Sequence, residues 1–183
     1  MSKFLAKLFI KAGRWKYNDF PDVEKAVVLM APHTSMWDFV LGKMYFAMHG
    51  YKPVVLIKKE AFVWPFGYFL KKMGGIPVDR GKRTGLTDMA IESFAKAKGR
   101  FYLVITPEGT RKKTKNWKKG FIRIAKAANV PVVMGYLDCS TRNMGILGLL
   151  DMFGTDEEIM ERLKKHYLGF TGLHKNKFET GYE

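Results

Sequence analysis

Short apolar runs alternate with helix-length segments along this chain, and that alternation admits few architectures. The runs at 25–30 (KAVVLM), 53–57, 76–78, 101–106 and 130–137 are compact and apolar, and read as strands. Segments 35–49, 64–73, 86–98 and 118–128 read as helices; Gly50 and Pro53 stop the first, and Gly99 stops the third. The acidic stretch 156–161 opens a last helix, since negative charge favours a helix N-terminus. Strands separated by helices predict an α/β domain on an at least partly parallel sheet. In such folds ligands are met where loops leave the strand ends.

With 183 residues and 47% hydrophobic side chains, the chain has the apolar mass for one domain with its own core. Cys139 stands alone, so no intrachain disulfide forms and no metal site is expected from cysteine pairs. The 32 Lys and Arg against 17 Asp and Glu, formally +15, attract an anionic partner: nucleic acid, an acidic membrane leaflet or a phosphorylated small molecule. Uncharged runs such as 26–37 and 61–70 are much shorter than the ~20 apolar residues that span a bilayer, so no transmembrane helix is expected. Lys3, Lys7 and Lys11 interrupt the N-terminal apolar run, which argues against a cleavable signal.

At ~100° per residue, Lys3, Lys7, Lys11 and Arg14 fall on one helical face, opposite Phe4, Leu5, Leu8, Phe9, Ala12 and Trp15. Such a helix either lies in a membrane interface with its cations snorkelling, or packs on its own domain. Trp15 and the absence of acidic residues before Asp19 favour the interface.

The stretch APHTSMWDF places His33 five residues before Asp38. On one regular helix these side chains would point about 140° apart, so they meet only if the helix starts after His33. Pro32 disfavours helix at Ala31, and Ser35-Met-Trp-Asp38 reads as a capping-box variant. His33 is then in a turn at a strand end, within reach of Asp38. The pair reads either as a carboxylate-oriented general base or as a capped helix start with a structural histidine.

A second stretch, TPEGTR at 106–111, follows a strand; Gly109 allows a tight turn and Arg111 offers a planar fork for phosphate or carboxylate. A buried Glu108 would need a partner and is expected to hold such an arginine. Read alone, the segment is equally a plain turn, and the basic run 111–119 a solvated face. A third stretch, GGIPVDR at 74–80, is again a strand leading to an arginine. Its continuation Gly81-Lys82-Arg83 is not a phosphate loop, because the glycine spacing and Arg83 both break that pattern. No G-x-S-x-G elbow, H-E-x-x-H helix or Cys/His ligand spacing occurs, which favours direct transfer over a covalent enzyme intermediate.

Taken in order, these stretches resemble the glycerolipid acyltransferase family that includes the 1-acylglycerol-3-phosphate acyltransferases. His33 and Asp38 match its His-x4-Asp motif, residues 74–80 its Gly-strand-Arg motif, and Pro107, Glu108, Gly109, Thr110 and Arg111 its Pro-Glu-Gly-Thr-Arg motif. Val130-Pro-Val-Val133 matches the fourth, although the later proline common in the family is missing around Met134 and Gly135. The resemblance spans roughly 27–136.

The resemblance implies an αβ sandwich like that of glycerol-3-phosphate acyltransferase, around a largely parallel sheet. The acyltransferase domain is expected over 17–168; the periodicity above makes 1–16 an amphipathic helix, and composition makes 169–183 a polar, Gly-rich tail, expected to be loosely ordered. The resemblance assigns His33 as general base, Asp38 as its orienting carboxylate, and Arg80, Glu108, Gly109, Thr110 and Arg111 to the phosphate-bearing acceptor. Transfer runs from an acyl thioester, on coenzyme A or acyl carrier protein, to a lysophospholipid hydroxyl, foremost that of lysophosphatidic acid to give phosphatidic acid. Neither a metal nor a tightly bound cofactor is expected. Lys58, Lys59 and the 111–119 run would meet headgroups or the donor. The aromatic stretch 61–70 reads as either an interfacial foot or core. The expected location is peripheral, on the cytoplasmic side of the cell membrane. The alternatives are another lysolipid or aminoacyl-lipid acceptor and, in a different class, a basic nucleic-acid-binding protein, which the dispersed charge and lack of a binding motif disfavour.

Overall fold

Strand β2 (Lys25–Ala31) is buried on both faces and organises the molecule. Its alternate side chains enter different cores: Val27, Leu29 and Ala31 on one side of the sheet, Ala26 and Val28 on the other. That double burial explains why the run is nearly continuous in apolar residues rather than alternating. The structure, a computed structural model, describes residues 2–78 and 83–182.

Two helices cover one face of the sheet. They are α1 (Lys3–Ala12), through Ala6 and Ile10, and α2 (Met36–His49), through Leu41, Tyr45, Phe46 and Met48. After β3 (Val54–Lys58) and β4 (Gly75–Val78), with α3 (Phe66–Lys72) between them, comes α4 (Arg83–Lys96). The opposite face is covered by α4 through Ala90 and Phe94, then by α5 (Gly120–Ala128) and α6 (Asp156–His166). Thr155 and Glu158 close a reciprocal capping box at the start of α6, as the acidic stretch suggested.

Strand β5 (Phe101–Ile105) and strand β6 (Val132–Asp138) flank β2, and both run parallel to it. With β1 (Lys16–Tyr17) and β7 (Asn143–Leu149), the seven-stranded sheet has the order β1-β7-β6-β2-β5-β3-β4 and is parallel except between β6 and β7. The α/β prediction is therefore met. The carboxyl ends of β2, β3, β4, β5 and β6 share one edge, where an open α/β sheet presents its ligand crevice.

The sequence had no reading for β7. Its stretch NMGILGL carries two glycines, which are depleted in strands. A tight turn held by Asp138, whose carboxylate accepts from Ser140 N at 3.1 Å and Thr141 Oγ1 at 2.5 Å, folds it back antiparallel.

The C-terminal segment differs from its expected loose order. Phe170 and Phe178 pack on the core, Thr180 is buried, and Cys139 N and Thr171 O are joined at 2.8 Å. Two aromatic anchors and backbone pairing outweigh its polar composition. Helix α1 also departs from a simple reading of its pattern. It docks on α2 through a narrow edge, Ala6 and Ile10, and leaves Phe4, Leu5, Leu8 and Phe9 exposed, Phe4 at 73%. In the 61–70 stretch Val63, Trp64, Tyr68 and Phe69 are likewise exposed, Trp64 at 90%.

Candidate active site

The turn after β2 carries His33, and its shape is fixed by the start of α2. Ser35 caps that helix, its Oγ accepting from Trp37 N at 3.2 Å. Asp38 closes the box: its Oδ2 accepts the backbone N–H groups of Thr34 at 2.6 Å and Ser35 at 2.7 Å. The same oxygen lies 3.5 Å from His33 Nδ1. Asp38 thus performs both roles that its spacing allowed, capping the helix and facing the imidazole. Its side chain is 6% exposed against 20% for His33, so the carboxylate is shielded while the ring reaches the surface. With Nδ1 turned to Asp38, Nε2 is the nitrogen left for another partner.

The loop after β5 supports this turn from beneath. Glu108, 4% exposed, accepts the backbone N–H of His33 through Oε1 at 2.7 Å. Its Oε2 is buried without a hydrogen-bond partner among the described residues. Burial, with Asp38 adding negative charge nearby, pushes the carboxyl up to about 8, the His33 amide only partly opposing the shift. At neutral pH Glu108 is therefore mostly uncharged, which makes an unpaired oxygen in the interior tolerable. The expected partnership with an arginine is not what the described residues form: Glu108 is held by a backbone amide, and Arg111 is exposed. Gly109 supplies the turn, with φ +65° and the Lys118 side chain 3.2 Å from where a Cβ would stand.

The other expected site residues are distributed along the same edge. Thr110 is half-buried beside Arg111, its Oγ1 accepting from Lys112 N at 3.2 Å. Lys59 is exposed just beyond β3, and the side chain of Lys58 and the whole of Arg80 lie outside the described residues.

The His33–Asp38 turn separates two hollows of opposite chemistry. One, about 420 Å³, is walled by Phe9, Ala12 and Trp15 below and by Trp37, Leu41 and Leu173 above, with Asp38 as its ionisable group. The other, about 490 Å³, is polar and is walled by Thr34, Ser35, Arg111 and Lys112 together with His174 and Lys177. Among the described residues no acidic side chain lines it. The apolar trough and the tail residues were missed in the sequence. Their members come from segments more than a hundred residues apart, and no local spacing announces them.

A histidine facing a buried carboxylate, with an apolar trough and a cationic hollow beside the same turn, suits proton removal from an amphiphile with an anionic end. A family of acyltransferases, described simply as Acyltransferase, matches residues 15–135. The mouse (Mus musculus) 1-acyl-sn-glycerol-3-phosphate acyltransferase epsilon is 32% identical over 100 residues, 52% of this chain and 27% of that protein. The chain thus spans only about a quarter of the length of this relative. Among solved structures, the 1-acyl-sn-glycerophosphate (LPA) acyltransferase PlsC of Thermotoga maritima superposes with a TM-score of 0.56 at 18% identity, covering 89% of this chain and 75% of that one.

Proposed function

The chain belongs to the Acyltransferase family, and from that premise we propose that it moves a fatty acyl group from a thioester to the free hydroxyl of a lysophospholipid, lysophosphatidic acid first, giving phosphatidic acid. The observation that carries this reading is the turn from His33 to Asp38, which lends Asp38 to an apolar trough and Thr34 and Ser35 to a cationic hollow. A lysophosphatidic acid has one end suited to each.

In this mechanism His33 Nε2 accepts the hydroxyl proton as the acceptor oxygen bonds to the thioester carbonyl carbon. Asp38 holds the ring by Nδ1 and stabilises the imidazolium. When the carbon–sulfur bond breaks, the thiolate takes that proton and leaves as free thiol, so no covalent enzyme intermediate is needed. A positioned base of this kind contributes about 10²–10⁴-fold. Glu108 sets the backbone position of His33 rather than meeting the acceptor. Arg111 and Thr110 face the acceptor phosphate from the next loop.

The donor is an acyl-CoA or an acyl carrier protein, and the +15 charge favours either anionic carrier. No described helix is long and apolar enough to cross a membrane. The enzyme instead docks peripherally on an anionic surface through Phe4, Leu5, Leu8 and Phe9 of α1, with Trp64 and Tyr68 as a second foot. Docking by α1 opens the trough, whose floor is Phe9 and Ala12, toward the bilayer that holds the acceptor.

The deciding experiment is an acceptor screen with purified protein and vesicles, using labelled acyl-CoA and acyl carrier protein donors against lysophosphatidic acid, other lysophospholipids and aminoacyl lipids. Transfer to lysophosphatidic acid that His33→Ala abolishes without loss of folding is the expected result. Turnover retained by His33→Ala would remove the mechanism, and transfer only to another lysolipid would replace the acceptor.

A further inference from the structure

The C-terminal segment touches the catalytic turn at one closely fitted point. Gly172 is buried against Thr34, and a Cβ there would stand 2.4 Å from Thr34 Cγ2. Two residues on, His174 N donates to Thr34 Oγ1 at 3.3 Å. A single 3-10 turn, Lys175–Lys177, follows, with Lys177 N bonded to His174 O at 3.0 Å. In that geometry residues three apart eclipse, so His174 and Lys177 share one side. Both line the cationic hollow, whereas Lys175 and Asn176 do not.

The charge around this hollow is unbalanced. Arg111, Lys112 and Lys177 converge on about 490 Å³, and among the described residues no acid lines that space and none of the three cations forms an ion pair. The neighbouring Lys113, by contrast, is matched: it pairs with Glu179 at 3.1 Å. Like charges gathered around one space repel until an anion enters. Hydroxyl groups from Thr34, Ser35 and Thr110 add neutral donors suited to several oxygens of one anion.

We propose that residues 172–177 form a wall of the active site, in which His174 and Lys177 bind a substrate phosphate against Arg111 and Lys112. This assignment rests on the acyl-transfer reading, in which the acceptor phosphate monoester and the phosphates of coenzyme A share this chemistry. His174 and Lys177 are then specificity residues supplied by the tail, and neither belongs to the motifs that carry the family resemblance.

The test pairs four substrate combinations with the intact chain: lysophosphatidic acid or monoacylglycerol as acceptor, and acyl-CoA or acyl-N-acetylcysteamine as donor. Wild type is compared with Lys177→Gln and with His174→Gln/Lys177→Gln, and thermal melts check that the variants remain folded. The double variant should raise KM about tenfold for one phosphate-bearing substrate, roughly the loss of a charge-assisted contact. Its kcat should stay within about twofold, and the phosphate-free counterpart should be unaffected. A rise with lysophosphatidic acid assigns the hollow to the acceptor, and a rise with acyl-CoA to the donor. Unchanged KM in all four combinations, with wild type turning over, overturns the proposal and leaves the acyl-transfer reading intact. Calorimetry with inorganic phosphate decides independently of turnover. Weaker binding to the double variant supports the wall, while equal binding or none at all overturns it, even if wild type acylates nothing.

Discussion

Glu108 Oε1 and the backbone N–H of His33 meet at 2.7 Å, joining the end of β5 to the turn after β2 across 75 positions of sequence. The bond fixes the main chain of His33, while Asp38 addresses its ring.

Because burial pushes Glu108 up to about 8 from an ordinary value of 4.5, the folded protein holds a proton that the unfolded chain releases between those two values. Stability from this group is complete below about pH 4.5 and is lost as pH rises through about 8. Glu108→Gln imitates the protonated form and removes the slope. Thermal melts from pH 5 to 9 should show wild type losing stability relative to this variant, by on the order of a few kcal/mol at the alkaline end. Glu108→Gln should keep activity at pH 7 within a few-fold, while Glu108→Ala removes the anchor and should destabilise by about 1–3 kcal/mol. A constant gap between wild type and Glu108→Gln across the range would contradict the uncharged carboxyl.

Asp38 couples helix capping to the orientation of His33 through one oxygen, so its two roles separate chemically. Asp38→Asn can still accept from Thr34 and Ser35 but loses the charge facing Nδ1. It should lower kcat by about 10²-fold or more and stability by less than the roughly 0.5–2 kcal/mol of a lost cap. Asp38→Ala should lose both. Equal kcat in Asp38→Asn and wild type would reduce the carboxylate to a capping role, which paired melts and initial rates would reveal.

That dual role was legible because all its determinants are local: Pro32, Ser35 and Asp38 lie within seven residues, and local rules govern helix starts. The strand–helix alternation likewise revealed the parallel sheet, since β2, β5 and β6 send side chains into both cores and are therefore apolar between their ends. Glu108 was read as an acid that burial would leave in want of a partner, with an arginine in view; it is buried, but the partner is the His33 amide, and a backbone group leaves no trace in sequence. The tail misled for a related reason. Its polar composition hides the anchors Phe170 and Phe178 and the contact of Gly172 with Thr34 from the far end of the chain. Helix α1 showed an amphipathic period, yet periodicity cannot tell which edge docks; Ala6 and Ile10 do, and the broad apolar face stays outside.

The trough between α1 and α2 offers a way to separate chain binding from chemistry. Ala12 is a small residue in its wall, distant in role from the proton transfer. Ala12→Trp should fill part of the roughly 420 Å³ and raise KM or lower transfer for long acyl chains while sparing short ones. Each methylene that can no longer be buried is worth about 0.8 kcal/mol, so excluding two of them should cost about tenfold or more. Competition between two labelled chain lengths in one reaction reads the ratio directly. An unchanged ratio would move the acyl chain elsewhere.

The exposed face of α1 makes the membrane prediction quantitative because its parts contribute differently. Phe4, Leu5, Leu8 and Phe9 project from a helix anchored by Ala6 and Ile10, so replacing exposed members should not unfold the domain. Leu5→Gln/Leu8→Gln removes apolar insertion and should weaken vesicle binding at every salt concentration. Changing Lys3, Lys7 and Lys11 to Glu removes about 1 kcal/mol of surface attraction per lysine. It should abolish the preference for anionic over neutral vesicles, and the remaining affinity should lose its salt dependence. Sedimentation with vesicles of graded anionic content, at two ionic strengths, distinguishes the two effects. Both sets should also slow transfer to vesicle-borne acceptor while leaving transfer to a short-chain soluble acceptor unchanged, because the His33–Asp38 turn is untouched. Wild-type binding by both variants would shift the membrane contact to the exposed Trp64 and Tyr68, where Trp64→Ser would then be the informative substitution.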